Sequence, residues 1–155
     1  MSDKIRGALF NALGDIEGLT VLDSFAGSGA IALEAVSRGA GHVIALDIDK
    51  GAINTIVKNA TQLGIGEELK ITRVGVASWL QTSAPGLNFD IVVCDPPYDD
   101  PHLSAISSLA GRVKPGGLLV LSLPPKLAPS LSSTFTLLSA KVYGNARLHF
   151  FRRES

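Results

Sequence analysis

Apolar residues recur at Ile5, Leu9, Phe10 and Leu13, the spacing of one helical face, behind Ser2 and Asp3, either of which can cap a helix start. The short apolar run Leu19 to Asp23 then ends in an acid and meets the glycine turn Ala26-Gly27-Ser28-Gly29. An amphipathic stretch, Ala30 to Arg38, follows and stops at Gly39. The unit reads strand, turn, helix. It repeats as a strand over His42 to Asp47, a helix over Lys50 to Leu63 and a strand over Leu69 to Val74. A short helix over Ala77 to Gln81, a strand over Phe89 to Cys94 and a helix over Leu103 to Val113 continue it, the last ending before Lys114-Pro115-Gly116-Gly117. Strands separated by helices predict βαβ units and a parallel sheet.

The last quarter breaks that rhythm. Leu118 to Leu123 is strand-like, and so are Phe135 to Val142 and Arg147 to Arg152, but the last two are joined only by Tyr143-Gly144-Asn145-Ala146. So short a link connects antiparallel neighbours. The expectation is an α/β fold: a doubly wound, mostly parallel sheet with a C-terminal antiparallel hairpin.

Composition narrows this reading. A chain of 155 residues buries roughly 70% of its extended surface on folding, and 46% hydrophobic residues supply a core for a single domain over 1–155. No repeat or low-complexity tract divides it. The one cysteine, Cys94, cannot form an internal disulfide, and no Cys/His cluster has metal-ligand spacing, so no metal is expected. No apolar run approaches the ~18 residues of a membrane helix, and no secretion signal opens the chain. The expectation is a cytoplasmic protein with no membrane partner, read as a monomer. Net charge is zero, yet residues 112–155 hold seven of the 14 Lys and Arg and only one acid, Glu154. A uniform basic coat is excluded and a basic flank is not.

Two motifs carry chemistry. In Asp23-Ser24-Phe25-Ala26-Gly27-Ser28-Gly29-Ala30, Gly27 and Gly29 let the backbone turn sharply and approach a ligand without Cβ atoms in the way. Ligands in open α/β sheets bind at the carboxyl ends of the strands, at the switch point that the first strand borders. Asp47, at the end of the second strand, offers acceptors to ribose hydroxyls. The glycine spacing also fits a dinucleotide fingerprint, and a tight turn without a ligand is the plain alternative.

Asp95-Pro96-Pro97-Tyr98 follows directly on the apolar run Phe89 to Cys94 and so lies beside that loop. The two prolines lack N–H groups and restrict φ, and Pro96 keeps Asp95 out of the helical region. The loop is stiff, rich in acceptors and poor in donors. It suits a substrate that donates hydrogen bonds, such as the exocyclic amine of a nucleobase. The Asp95 carboxylate and Pro96 carbonyl would accept its two hydrogens, and the Tyr98 ring would stack on the base. A rigid turn with Tyr98 in the core is the structural alternative. Cys94 reads as a core thiol, Trp79 as core or cofactor-pocket wall, His102 as a solvated loop residue, and Asp99 and Asp100 as helix caps.

Taken together, these motifs resemble class I S-adenosylmethionine-dependent methyltransferases acting on base amines. Within these, the chain resembles the RsmD family, which methylates guanine N2 in 16S ribosomal RNA. The family resemblance adds Asp3-Lys4-Ile5-Arg6 with Leu9-Phe10-Asn11, the run from Phe25 to Ala40, and Val142-Tyr143-Gly144-Asn145-Ala146-Arg147-Leu148. It implies a seven-stranded Rossmann-like methyltransferase sheet, S-adenosylmethionine as cofactor, and 16S rRNA or the small ribosomal subunit as partner. It also implies cofactor binding by Asp23, Phe25, Ala26, Gly27, Gly29, Asp47, Ile48, Val76 and Ala77. Asp95, Pro96, Pro97 and Tyr98 would be catalytic, and Tyr98, Arg6 and Arg147 would touch substrate. The leading helix, residues 1–13, would close over the cofactor.

Two departures stand out. The family's glycine- and arginine-rich N-terminal RNA-binding arm is missing ahead of the first helix, which predicts weak affinity for free RNA. The position expected to carry Asp or Asn against the adenine amine is Gly75. The rival readings are a DNA adenine-N6 methyltransferase, an NAD-binding oxidoreductase, and a non-catalytic S-adenosylmethionine-binding partner protein.

Overall fold

The computed structural model describes residues 1–100 and 102–155. The helices are α1 (Asp3–Leu13), α2 (Ala30–Ser37), α3 (Lys50–Gln62), α4 (Val76–Thr82) and α5 (Leu103–Ala110). The strands are β1 (Thr20–Asp23), β2 (His42–Asp47), β3 (Leu69–Arg73), β4 (Phe89–Cys94), β5 (Val113–Leu123), β6 (Phe135–Tyr143) and β7 (Ala146–Arg153). They form one seven-stranded sheet in the order β3-β2-β1-β4-β5-β7-β6, parallel through β5 and antiparallel at β7 and β6. The doubly wound sheet with a C-terminal hairpin is the one read from the sequence.

The central strands are apolar because both of their faces are covered. One face packs under α1, α2 and α3 through Leu9, Phe10, Ile31, Ala32 and Ile56. The other packs under α4 and α5 through Val76, Trp79, Ile106 and Leu109. Ser2 caps α1, its Oγ accepting from the Ile5 N–H at 3.2 Å, and Asp49 caps α3 in the same way. Strand order reverses at the β1–β4 pair, so a crevice opens above their carboxyl ends.

Three local features differ from the sequence expectation. Helix α5 stops at Ala110, and β5 begins at Val113, running through Lys114-Pro115-Gly116-Gly117. Val113 is wholly buried and pairs with Phe89, and the pairing then skips to Ile91 with Leu118, so the Pro-Gly-Gly segment is absorbed as a bulge within the strand. Arg112 anchors this junction: its guanidinium donates to the Leu80, Ala84 and Leu87 carbonyls and stacks on Trp79. Asp99 and Asp100 do not cap α5; its N-cap is His102, in the left-handed region at φ 50°. Finally, β6 and β7 are joined by only two residues, Gly144 and Asn145, with Tyr143 already paired to Ala146. Gly144 at φ 59° makes so tight a reversal possible.

Candidate active site

A cavity of about 900 Å³ opens over the carboxyl ends of β1, β2, β4 and β5, between α1 on one side and the β6–β7 turn on the other. The glycine loop forms its floor and is tied down strand by strand. Ser24 donates through both N and Oγ to the Val93 carbonyl, at 3.1 and 2.7 Å, and the Ala26 N–H donates to the Leu46 carbonyl at 2.8 Å. Gly29 starts α2 at φ 84°, where a Cβ would fall 2.7 Å from Ile56 Cγ1, so only glycine fits.

Asp23 closes β1 directly beneath this loop. It is fully buried, and neither carboxylate oxygen has a hydrogen-bond partner among the described residues. Burial pushes its pKa up to about 7; the negative charges of Asp95 and Asp47 add to this. The Ala32 N–H offsets part of the shift without reaching hydrogen-bond geometry. An orphaned carboxylate of this kind is costly, and it sets a buried acidic group beneath the cavity floor.

Asp47 sits at the end of β2 with its oxygens already orienting backbone. Oδ2 accepts from the Gly27 N–H and Oδ1 from the Asp49 N–H, both at 2.8 Å. Each oxygen keeps a lone pair for a further donor. Beside it Ile48, whose carbonyl is held by Arg73, is 71% exposed and lines the cavity with an apolar side chain. Val76 and Gly75 face the same space from the start of α4.

The opposite wall is Asp95-Pro96-Pro97-Tyr98. Asp95 follows the last residue of β4, and burial raises its pKa; the first amino group of the chain and the Ser122 hydroxyl pull the other way. The Met1 nitrogen lies 3.6 Å from Asp95 Oδ2, so a nitrogen fits beside this carboxylate. Tyr98 is also raised by burial and stays neutral. Cys94 is wholly buried with its thiol pushed up to about 12 by desolvation, which removes it as a nucleophile. Trp79 packs on Phe89 in the core and takes no part in the cavity.

Of the residues singled out from the sequence, Phe25, Gly27, Asp47, Ile48, Val76 and the whole of Asp95 to Tyr98 line the cavity. Asp23, Ala26 and Gly29 shape it from below, and Ala77 points to solvent. Arg6 faces away: it pairs with Glu34 at 2.9 Å and with Asp3 at 2.9 Å, fastening α1 to α2. Arg147, on β7 beside Leu123, also lies outside the lining. The cavity recruits residues not assigned in advance: Lys4 and Ile5 from α1, Ser122 from β5, His102, and Tyr143, Gly144 and Asn145 from the hairpin turn. His102 packs against Phe25 with the rings tilted at 42° and their centroids 5.3 Å apart, and its Nε2 lies 3.3 Å from Asp100.

A sheet of this order, with its antiparallel β7 and a cavity at the β1–β4 switch point, defines the class I methyltransferase fold. The chain belongs to the RsmD family: the model of the family described as "Conserved hypothetical protein 95" matches residues 1–152. It is 34% identical over 110 residues to a Bacillus subtilis protein named "Putative rRNA methyltransferase YlbH", a match covering 70% of this chain and 60% of that one. It is 37% identical over 98 residues to "Ribosomal RNA small subunit methyltransferase D" of Buchnera aphidicola, covering 63% of this chain and 50% of the relative. The solved structure titled "Putative methyltransferase yhhF from Escherichia coli" superposes with a TM-score of 0.90 at 28% identity, covering 99% of this chain and 88% of that one. The matches thus span half to 60% of the length of these two curated relatives.

Proposed function

We propose that the chain is an S-adenosylmethionine-dependent methyltransferase that modifies the exocyclic N2 amine of a guanine in 16S rRNA of the small ribosomal subunit. The observation that carries this reading is the acceptor-rich, donor-poor Asp95-Pro96-Pro97-Tyr98 wall facing the glycine loop across one cavity. The cofactor fits the residues present. Its cationic amine suits the negative charge of Asp23 beneath the loop, its ribose hydroxyls suit Asp47, and its adenine suits the exposed Ile48 side chain beside Val76.

When bound, the cofactor supplies an activated methyl group on a sulfonium. The residues do the rest. The target base leaves its stack to enter, and its amine donates to the Asp95 carboxylate and the Pro96 carbonyl. Those acceptors draw the nitrogen lone pair out of the ring and stabilise the positive charge that grows on it. Tyr98 holds the ring plane, so that nitrogen and methyl are aligned before reaction. Asp95 lies where it would accept the proton released as the nitrogen is alkylated.

The test is transfer of label from S-adenosylmethionine to small subunits, free rRNA, DNA and ribosomal protein, followed by identification of the labelled group. Label in guanine N2 of the small subunit supports the reading. Label in DNA adenine N6 would replace the substrate, label in ribosomal protein would replace the substrate class, and cofactor binding without turnover on any of them would favour a non-catalytic role.

A further inference from the structure

The cavity has an acceptor-rich wall for an amine, and on its hairpin side an exposed asparagine, Asn145, among its lining residues. Asn145 lines the cavity from the β6–β7 turn, and its amide makes no hydrogen bond to any described residue. The pairing register fixes its place. Cys94 pairs with Leu121 and Ser122 with Leu148, which puts Asp95, Ser122 and Leu148 in one row across the sheet ends. Asn145 stands three residues beyond that row, roughly 10 Å farther along at the rise of a strand, at the rim of the cavity that Asp95 and Tyr98 wall. Gly144 makes the turn that brings it there, with φ 59° and open space around the position a Cβ would take.

Resting on the base-amine reading above, we infer that Asn145 is the residue that selects guanine over adenine. With the N2 amine held by Asp95 and Pro96, the neighbouring groups on the guanine edge are the N1–H donor and the O6 acceptor. A carboxamide complements both, its oxygen accepting from N1–H and its nitrogen donating to O6. Adenine, with its N6 amine held instead, presents only a ring-nitrogen acceptor and satisfies one half of the amide. A bidentate pair of this kind discriminates by about 10- to 100-fold against the wrong base.

The experiment uses the full chain and small subunits from cells that lack it, with labelled S-adenosylmethionine and nucleoside analysis of the product. Asn145→Ala is expected to lower kcat/KM for guanine labelling by about 10- to 100-fold, with the dissociation constant for S-adenosylmethionine and the melting temperature unchanged. Asn145→Asp keeps the acceptor for N1–H but sets a charged oxygen against O6, so it falls below the Ala variant. An Ala variant within twofold of wild type, or an Asp variant faster than Ala, overturns the assignment to Asn145 while leaving the base-amine reading intact. Wild-type protein that labels no guanine overturns the base-amine reading and this inference with it.

Discussion

The two halves of the cavity are built on different physical plans. On the cofactor side, Ser24, Ala26, Gly27 and Asp49 each commit a backbone N–H to a neighbouring strand or to Asp47, so the loop is locked before anything binds. On the acceptor side, the prolines of Asp95-Pro96-Pro97-Tyr98 have no N–H to donate, the Asp100 N–H to the Pro97 carbonyl is the main local tie, and the Asn145 amide has no partner among the described residues. Stiffness there comes from proline φ, not from hydrogen bonds. The first half gives up adaptability for a fixed cradle, and the second holds its loop with few backbone hydrogen bonds, the Asp95 carboxylate facing the Met1 nitrogen and the Ser122 hydroxyl.

The largest effect should come from the acceptor side. Asp95→Ala removes an acceptor that matters most when charge develops on nitrogen, and the loss is expected to be at least ~10²- to 10³-fold in kcat. The dissociation constant for S-adenosylmethionine should stay within a few-fold of wild type, because none of the locking hydrogen bonds involves Asp95. Calorimetry beside single-turnover kinetics checks both halves at once. A fully active variant would remove the chemistry from this wall.

On the cofactor side the next largest effect is one of pH. Asp23 has a folded pKa of about 7, above its unfolded value. The folded state therefore holds this proton more tightly, so the group's contribution is fully present below about pH 4 and is lost as pH rises toward 7. At 1.36 kcal/mol per unit the loss is on the order of 4 kcal/mol. Urea unfolding of wild type and Asp23→Asn across that window should show the difference shrink on adding S-adenosylmethionine, whose cation restores a partner to the carboxylate. A difference independent of pH would mean that Asp23 is already ionised and satisfied.

Two glycines sharpen the contrast. Gly29→Ala forces a Cβ against the buried Ile56 side chain at positive φ, and overpacking with left-handed strain should destabilise the fold by about 3 kcal/mol. Gly144→Ala meets nothing within 4 Å and bears only the conformational term, about 1 kcal/mol. Equal losses in thermal denaturation would contradict the picture of one locked and one open half.

Each half is legible where local chain geometry suffices. The glycine turn and Asp47 announce themselves because a local turn and a strand end place them, Asp95 to Tyr98 does so because two prolines after an apolar strand leave few conformations, and Ile48 is read only through the family resemblance. The rest depended on long-range register. Nothing local in Tyr143-Gly144-Asn145 says that β7 will insert between β5 and β6 and swing the turn over the cavity. The Lys114 to Gly117 segment reads as a loop, since the burial of Val113 against Phe89 is what pulls it into β5. Arg6 and Arg147 carry the right charge for nucleic acid, but Arg6 is engaged by Glu34 and Asp3, and Arg147 is directed by its place on β7.

The smallest expected effect tests whether the cofactor side is finished. Gly75 is the N-cap of α4, at φ −75° and ψ 153°, with no side chain to accept from the helix N–H groups. A Cβ there would meet only Ile48 Cδ1, at an ordinary 3.7 Å, so Gly75→Asp introduces no strain. As an N-cap, Asp should exceed Gly by a few tenths of a kcal/mol. From the same position its carboxylate reaches into the cavity beside Ile48, where an adenine amine would donate to it. A hydrogen bond worth about 1 kcal/mol corresponds to roughly fivefold tighter binding of S-adenosylmethionine, with kcat for methyl transfer unchanged because the acceptor wall is untouched. Isothermal titration of the two proteins reads this directly. Weaker binding in the Asp variant, with the added stability present, would mean that the adenine does not lie against Gly75 and that the Ile48 platform holds something else.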